Sequence, residues 1–332
     1  MDKMESTRNQ LINLLAENKH QYISGQILSE KLNISRSAVW KHMNELKKDG
    51  YSIEGVPKKG YRIIGFPAKV SENTLQWGLN TKWMGHTIIH KKTTSSTQLI
   101  MHELALENQK HGTVVVADKQ LNGKGRMNRA WFSAENKGIW MSILLRPSIS
   151  PHLAPQLTLL AATVLAEVIS SFTELKVQIK WPNDILINRK KVAGILTEMQ
   201  AEQDQIQYIV LGIGVNILQE KDDLPHELRS KATSLKLETS TEWDIRELIQ
   251  AILVQFEKTY ELYMDAGFSK IKRLWEYYGF KIGERILIKT LKEEWKAIFY
   301  GIAEDGALLV KNTDDSIEKI YSAEIDWFEE NE

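Results

Sequence analysis

Cysteine is absent from the 332 residues, which excludes disulfides, thiolate metal sites and a cysteine nucleophile. The absence also fits a reducing compartment. Net charge is missing too: Lys and Arg number 43, as do Asp and Glu, so no global field draws the chain toward nucleic acid or membrane. Long apolar runs are lacking. The longest, Leu157 to Ile169, includes Thr158, Thr163 and Glu167 and is too short to span a bilayer. The stretch Met1 to Gln10 is polar and charged, without the apolar core of a signal peptide. Internal repeats and low-complexity tracts are absent as well. The expectation is a cytoplasmic enzyme or regulator with no membrane partner.

What is present suits a chain with real cores: 42% hydrophobic and 26% charged residues, over a length sufficient for two or three domains. The zero net charge conceals an asymmetry. Residues 1–65 carry eleven Lys/Arg against seven Asp/Glu, a net of +4, and the remainder sums to −4. A basic first fifth points to a module that faces DNA.

Periodicity in that region agrees. Apolar spacing predicts a helix from Arg8 to Glu17 and a second after the N-cap candidate Ser24, with Ile27, Leu28 and Leu32 on one face. Past a turn at Asn33-Ile34, Ser35 caps a third helix over 36–48, whose apolar face is Val39, Met43 and Leu46. Gly50 ends it, and short strands at 51–54 and 61–64 flank a loop. Helix, tight turn, helix and basic-tipped hairpin make a winged helix-turn-helix over residues 1–66. The third helix would enter the major groove, with Ser35, Arg36, Ser37 and Lys41 meeting phosphates and base edges. Lys58 and Lys59 at the hairpin tip would hold flanking phosphates. The plainer alternative is a small helical domain with a solvated basic face.

Residues 67–278 mix the two periods, with helices expected at 97–109, 154–171 and 243–265. Strands are expected at 87–91, 113–117, 138–145, 176–180, 184–188, 192–200 and 206–213. Helices do not separate the strands regularly, so an α+β domain on a mixed sheet is favoured over a doubly wound one. In residues 279–332, short strands at 285–290, 295–303, 306–311 and 316–321 suggest a small β-barrel.

Three segments carry chemistry. In 120–132, Gly123 and Gly125 alternate with Lys124, Arg126 and Arg129, a flexible cationic loop in which backbone N–H groups and cations can approach an anion. Its spacing is neither a Walker A loop nor a dinucleotide fingerprint, and a solvated surface turn would carry the same residues. The second segment is Lys180-Trp181-Pro182-Asn183-Asp184 followed by 189–198. Two apolar strands around a basic turn read as a hairpin, which would make Lys191 one of three consecutive cations at a solvated tip. The aromatic, the proline and two polar residues in a row break strand regularity and suggest a site. In the third segment, Leu211 to Asn216, alternating glycines let a ligand approach a strand, although a bulged strand end would look the same.

In order and spacing these segments resemble the biotin–protein ligases, and among them the bifunctional bacterial branch that also represses a biotin operon. The resemblance is carried by Gly123-Lys124-Gly125-Arg126 with Trp131-Phe132-Ser133, by Lys180 to Asp184, by Lys191 to Leu196 and by Gly212 to Asn216, and it covers essentially the whole chain. It implies a class II synthetase-like catalytic domain and an SH3-like C-terminal barrel. ATP, Mg²⁺ and biotin are the implied ligands. The implied partners are operator DNA and the biotin carboxyl carrier domains of acetyl-CoA carboxylase and pyruvate carboxylase type, with a homodimer forming when the adenylate is bound.

The implied reaction sets a physical problem, because the biotin carboxylate must attack the α-phosphate of ATP and two anions repel. The resemblance assigns Lys191 to the α-phosphate, and Arg126 and Arg129 to the phosphates and the carboxylate. Ser96, Thr97 and Gln120 would face the ureido and thiophane end, with the backbone around Gly123 and Gly194. Lys124 and Gly125 belong to the closing loop, on which Trp131 would pack unless it simply fills the core. Asn216 would read adenine, Asp184 would serve Mg²⁺ or the incoming lysine, and Glu324 would reach the nucleotide. Ser96 and Thr97 also stand where they would cap the helix that follows. Two departures stand out: Lys124 replaces the usual arginine, keeping the cation but losing its bidentate fork, and Gln98 replaces the usual asparagine.

Two other readings compete. A lipoyl–protein ligase would share the catalytic logic but usually lacks the helix-turn-helix and the cationic glycine loop. A transcription factor whose larger domain only senses a small molecule would need no set of phosphate-neutralising cations.

Overall fold

The computed structural model describes residues 7–18, 21–48, 50–290 and 293–327. The expectation for Met1–Ser6 therefore lies outside the described residues. The chain forms two compact units, residues 1–80 with 244–250, and residues 81–243 with 251–332.

In the first unit, α1 (Thr7–Glu17), α2 (Gly25–Leu32) and α3 (Arg36–Lys48) precede a hairpin of β1 (Ser52–Val56) and β2 (Gly60–Gly65), followed by α4 (Glu72–Gln76). Leu11, Leu15, Leu28, Val39, Met43, Leu46, Ile53 and Ile63 share one buried core. Helix ends follow local chemistry. Ser24 Oγ accepts from Ile27 N at 3.2 Å, Asn33 closes α2 in the left-handed region (φ 51°), and Ser35 Oγ accepts from Ala38 N at 3.1 Å. Tyr61 of β2 exchanges two backbone hydrogen bonds with Ile23, both 2.9 Å. Gly60 (φ 112°) makes this approach possible, since a β-carbon there would lie 2.1 Å from Ile23 O. The short α4 was not expected from the sequence; Ser71 and Thr74 close it with reciprocal cap bonds.

The second unit is built on a seven-stranded sheet. In chain order it contains β3 (Ile88–Thr94), α5 (Thr97–Leu106), β4 (Val114–Gln120), β5 (Gly138–Leu145), α6 (Ala154–Phe172), β6 (Val177–Lys180), β7 (Asp184–Ile187), β8 (Lys190–Glu202) and β9 (Gln205–Asn216). After these come α7 (Leu235–Thr239), α8 (Ile245–Ala266), α9 (Ser269–Tyr278) and strands β10 (Arg285–Lys289), β11 (Glu294–Ile302), β12 (Leu308–Lys311), β13 (Ile317–Ile320) and β14 (Glu324–Asp326). The large sheet runs β3-β4-β5-β9-β8-β7-β6, with β3 and β4 parallel and every other pair antiparallel. This is the mixed sheet expected. Strand β5 lies in its interior, between β4 and β9, with all residues buried, so it reads as one apolar run rather than an alternation.

The helix over 151–172 is long and apolar enough to cross a membrane by length and composition, more than the run at 157–169 suggested, but 72% of its apolar 18-residue stretch is buried within the fold. It is the core helix against the sheet. The last five strands form an antiparallel sheet, β13-β12-β11-β10-β14, one strand more than the sequence pattern marked.

One buried carboxylate pins the entry to this unit. Glu257 of α8, 6% exposed, accepts from the backbone N–H groups of Lys82 (2.7 Å), Trp83 (2.8 Å) and Met84 (2.9 Å). Burial pushes its pKa up, but the three N–H donors outweigh this and hold it below the ordinary glutamate value. The carboxylate therefore contributes stability above the ordinary carboxylate range, and that contribution is lost as the pH falls through its folded-state value. Glu257→Gln, which turns an N–H against one of these donors, is expected to cost about 1–3 kcal/mol at neutral pH. Thermal unfolding of both proteins at pH 7 and in acid checks this: the difference should shrink in acid.

Candidate active site and nucleic-acid interface

A chain of buried polar side chains crosses the large sheet where β4, β5 and the start of α5 meet. Thr97 donates its backbone N–H to Gln120 Oε1 at 2.8 Å. Its hydroxyl has one proton for two acceptors, Gln120 Oε1 (3.1 Å) and Ser142 Oγ (2.9 Å). Ser142 donates to Gln98 Oε1 (3.0 Å), Gln98 Nε2 to Val210 O (3.1 Å), and Gln120 Nε2 to Ser133 Oγ (2.9 Å). Buried polar groups are retained at such cost where they orient one another or a polar ligand. Ser96 occupies the cap position of α5, buried, but its hydroxyl makes no capping bond. Gly212 leaves room for Gln98 to lie across β9; a β-carbon there would sit 2.7 Å from Gln98 Oε1.

Next to this chain lies a floor without side chains. Gly194 of β8 and Gly214 of β9 are directly paired, and the Trp131 indole rests on them. Trp131 meets Trp140 edge-on at 6.4 Å, and its indole N–H is closed off from solvent without a hydrogen-bond partner. The loop that delivers it is a turn tied by backbone hydrogen bonds. Gly125 N donates to Arg129 O (2.7 Å) and Trp131 N to Gly123 O (2.8 Å), while Met127 and Asn128 take positive φ at the tip. Lys124 and Arg129 project from this turn, exposed, while the Arg126 guanidinium turns in toward Asn183 and is shielded there.

Cations converge on Asp184 at the start of β7. Lys191 Nζ lies 2.5 Å from Asp184 Oδ1, an oxygen shielded from solvent that takes no hydrogen bond besides this ion pair, and 5.1 Å from the centre of the Trp131 ring. Lys180 pairs in register with Asp184 across β6 and β7. Burial holds the Lys180 ammonium below the usual lysine range; Asp184 opposes this, and Lys191 and Arg129 add to it. Arg126 is lowered by burial first, with Asp184 opposing and Arg129 adding. Arg126 also donates to Asn183 Oδ1 at 3.2 Å, and Asn183 Nδ2 donates to Ile195 O at 2.8 Å. Four cations against Asp184 and the more distant charge of Asp326 leave a net positive site suited to an anion with several charges.

Lys191 is not at a free tip. The turn is Asn188-Arg189, both with positive φ, as a two-residue hairpin requires. Lys191 lies just inside it, half-buried, and its backbone is bracketed by the segment after β9: its N–H donates to Lys231 O and its carbonyl accepts from Thr233 N, both 2.9 Å. Asn216 holds the same segment. It is buried, donates Nδ2 to Thr233 O (3.0 Å) and accepts from Gln219 Nε2 (3.0 Å), so its side chain is committed to the loop. Glu324 is exposed in β14 opposite Lys289. From that strand it is Asp326 whose charge acts on Lys180. Lys180, Asn183, Gln98, Ser133, Ser142 and Asp326 were not assigned from the sequence. Lys180 and Asn183 were visible within the Lys-Trp-Pro-Asn-Asp segment, Ser133 within Trp-Phe-Ser and Gln98 as a departure from the usual asparagine, whereas nothing local marked Ser142 or Asp326.

In the first unit, Ser35 Oγ lies 2.8 Å from Ser37 Oγ at the start of α3, and Arg36, Ser37 and Lys41 are exposed along it. Lys58, with φ 69°, and Lys59 are exposed at the hairpin tip, and Lys59 Nζ lies 5.9 Å from the centre of the Tyr22 ring.

Fold and site together define an acid-activating ligase coupled to a helix-turn-helix. Residues 90–216 match the Biotin/lipoate A/B protein ligase family, residues 7–62 an HTH domain, and residues 281–327 the Biotin protein ligase C terminal domain. The bifunctional ligase/repressor BirA of Bacillus subtilis is 48% identical over 97% of this chain and 99% of its own length. The protein of the same name from Escherichia coli is 28% identical over 91% of each. The structure of the biotin protein ligase from Aquifex aeolicus in complex with biotin and ATP superposes with a TM-score of 0.62 at 29% identity, covering 73% of this chain and 98% of that one. The chain belongs to the biotin–protein ligase family, in its bifunctional ligase/repressor branch.

Proposed function

We infer that the protein activates biotin with ATP and transfers it to a lysine of a carrier protein, and that it represses biotin genes through its helix-turn-helix. The observation that carries the catalytic half is the group of four cations around Asp184, set beside a buried polar chain and a glycine floor. In the first step a biotin carboxylate oxygen attacks the α-phosphorus and pyrophosphate leaves. In the second, the carrier lysine amine attacks the acyl carbon, loses a proton, and AMP departs.

Lys191, Arg126 and Arg129 neutralise the phosphates, with Lys124 at the outer edge of the loop. Ser96, Thr97 and Gln120 orient the polar head of biotin beside the backbone of Gly123, Gly125 and Gly194. Asn216 shapes the nucleotide end through the loop it ties down. The family implies Mg²⁺, which neutralises phosphate charge and usually keeps several waters and phosphate ligands. Among the described residues no cluster of three or more His, Asp or Glu could hold a metal, so the fit is to an ion carried in by ATP, with Asp184 as the nearby carboxylate.

The domains in this reading are 1–66, a winged helix-turn-helix; 67–278, a class II synthetase-like catalytic domain; and 279–332, an SH3-like barrel. The hairpin β1-β2 acts as the wing and α3 as the reading helix. Carrier domains of acetyl-CoA carboxylase and pyruvate carboxylase type are the acceptors. Adenylate binding yields a homodimer that places two reading helices on a palindromic operator. The location is cytoplasmic.

Incubation with ATP, labelled biotin and an apo carrier domain is expected to label the carrier, and labelled lipoate is expected to fail. Operator binding without any label transfer would eliminate the ligase.

A further inference from the structure

Helix α3 spends Val39, Met43 and Leu46 on the core of its unit. The remaining surface carries Arg36, Ser37, Lys41, Lys47 and Lys48, all exposed, and Trp40, 61% exposed, lies on the flank with Arg36 and Lys47. Among the described residues Trp40 makes no hydrogen bond, ion pair or ring contact. It is a large apolar surface left in water on a helix whose other outward residues are polar. Glu45, the one acidic side chain of the helix, hydrogen-bonds His42 at 3.2 Å and is outnumbered by Arg36, Lys41, Lys47 and Lys48, so the helix surface stays cationic.

This combination restricts what Trp40 can meet. A partner for the face must be polyanionic, given Arg36 one helical turn before Trp40, Lys41 beside it, and Lys58 and Lys59 on the hairpin. The partner must also offer an apolar group at the depth a helix reaches. The major groove of DNA offers one, the 5-methyl group of thymine. Phosphate contacts place the helix but carry no sequence information, so discrimination has to come from a side chain such as this one.

We propose that Trp40 is a specificity-determining residue of the DNA-reading helix, laying its indole against thymine methyl groups in the major groove. The inference rests on the DNA-binding reading given above and names the base feature that it selects. Lys41 and Arg36 position the helix on the backbone, and Trp40 makes the thymine-rich site preferred over others.

The test uses the full-length protein with biotin and ATP. A duplex is selected by the wild-type protein from a random library, and a second version is made with deoxyuridine in place of thymidine, which removes only the methyl groups. Wild type is expected to bind the uracil duplex about tenfold more weakly. Trp40→Ala should bind the thymine duplex about tenfold more weakly than wild type and gain nothing from the methyl groups. Its affinity for an unrelated duplex and the slope of affinity with salt should be unchanged, since both report phosphate contacts. Trp40→Phe should recover part of the methyl preference, and biotin transfer by all three proteins should match.

The proposal fails if Trp40→Ala keeps the wild-type preference for thymine over uracil. It also fails if the substitution changes self-association measured by sedimentation without DNA, which would make Trp40 a protein contact. A wild-type protein that enriches no sequence from the library removes the DNA-reading assignment itself, a different outcome from specific binding that ignores methyl groups.

Discussion

Replacing Lys191 with alanine is expected to slow adenylate formation by roughly 10²–10³-fold, the range typical of removing one group aimed at developing charge. The ammonium lies against Asp184 at 2.5 Å, on strand β8 between the hairpin turn and the glycine floor. Two effects would follow its loss. The phosphates would lose a cation, and Asp184, without its direct ion-pair partner, would keep only the field of Lys180 and Arg126 and repel them more. A second substitution separates the two. If Asp184 repulsion causes the defect, Lys191→Ala with Asp184→Asn should regain most of the rate. If the missing cation causes it, the double variant should stay slow, and the second outcome is expected. Lys191→Arg should be intermediate, because the charge survives in a wider, planar group. Pyrophosphate release in a single turnover is the readout. The fold should be unaffected, since the bonds to Lys231 and Thr233 use the Lys191 backbone. Near-normal release by Lys191→Ala would remove this residue from the chemistry.

The place of Lys191 illustrates what can be read from a sequence and what cannot. The hairpin was legible, because two apolar strands around a polar pair form a local pattern; so were the first three helices, where Val39, Met43 and Leu46 repeat at helical spacing. The bracket around Lys191 comes from residues about forty positions later and leaves no trace in the local pattern. The polar chain has the same character: Ser142 of β5 joins Thr97 and Gln98 of α5, more than forty positions away in sequence, so only the fold gathers them. Helix α9 was missed for a different reason. Its buried Ile271 and Trp275 continue the apolar rhythm of α8, and Gly267 (φ 76°) is the one break between them. Strand β14 has only three residues, too few for an alternation to register. The glycine segments were recognised as places of close approach, but which group approaches became visible only when Trp131 was seen to lie on them.

That close approach gives the second large expectation. Gly214→Ala should lower kcat/KM for ATP by about 10–100-fold, a barrier change of roughly 1.4–2.8 kcal/mol. Gly214 has no left-handed backbone to strain, so the substitution acts through space alone. A β-carbon there would stand 2.5 Å from the Trp131 Cε2 and 2.6 Å from Nε1, too close for real contact, so the indole must leave. Its departure would carry the turn bearing Arg126 and Arg129 with it, because Trp131 N is bonded to Gly123 O at 2.8 Å. Gly194→Ala should be milder, with nearest approaches of 2.9 Å to Trp131 Cζ3 and 3.0 Å to the flexible Lys191 Cε. A double variant makes the cause testable. Once Trp131→Ala has removed the indole, adding Gly214→Ala should do little further harm, a non-additivity expected only of residues in contact. If the two losses instead multiply, the indole does not rest on this floor during turnover, and Gly214 must be serving the ligand directly.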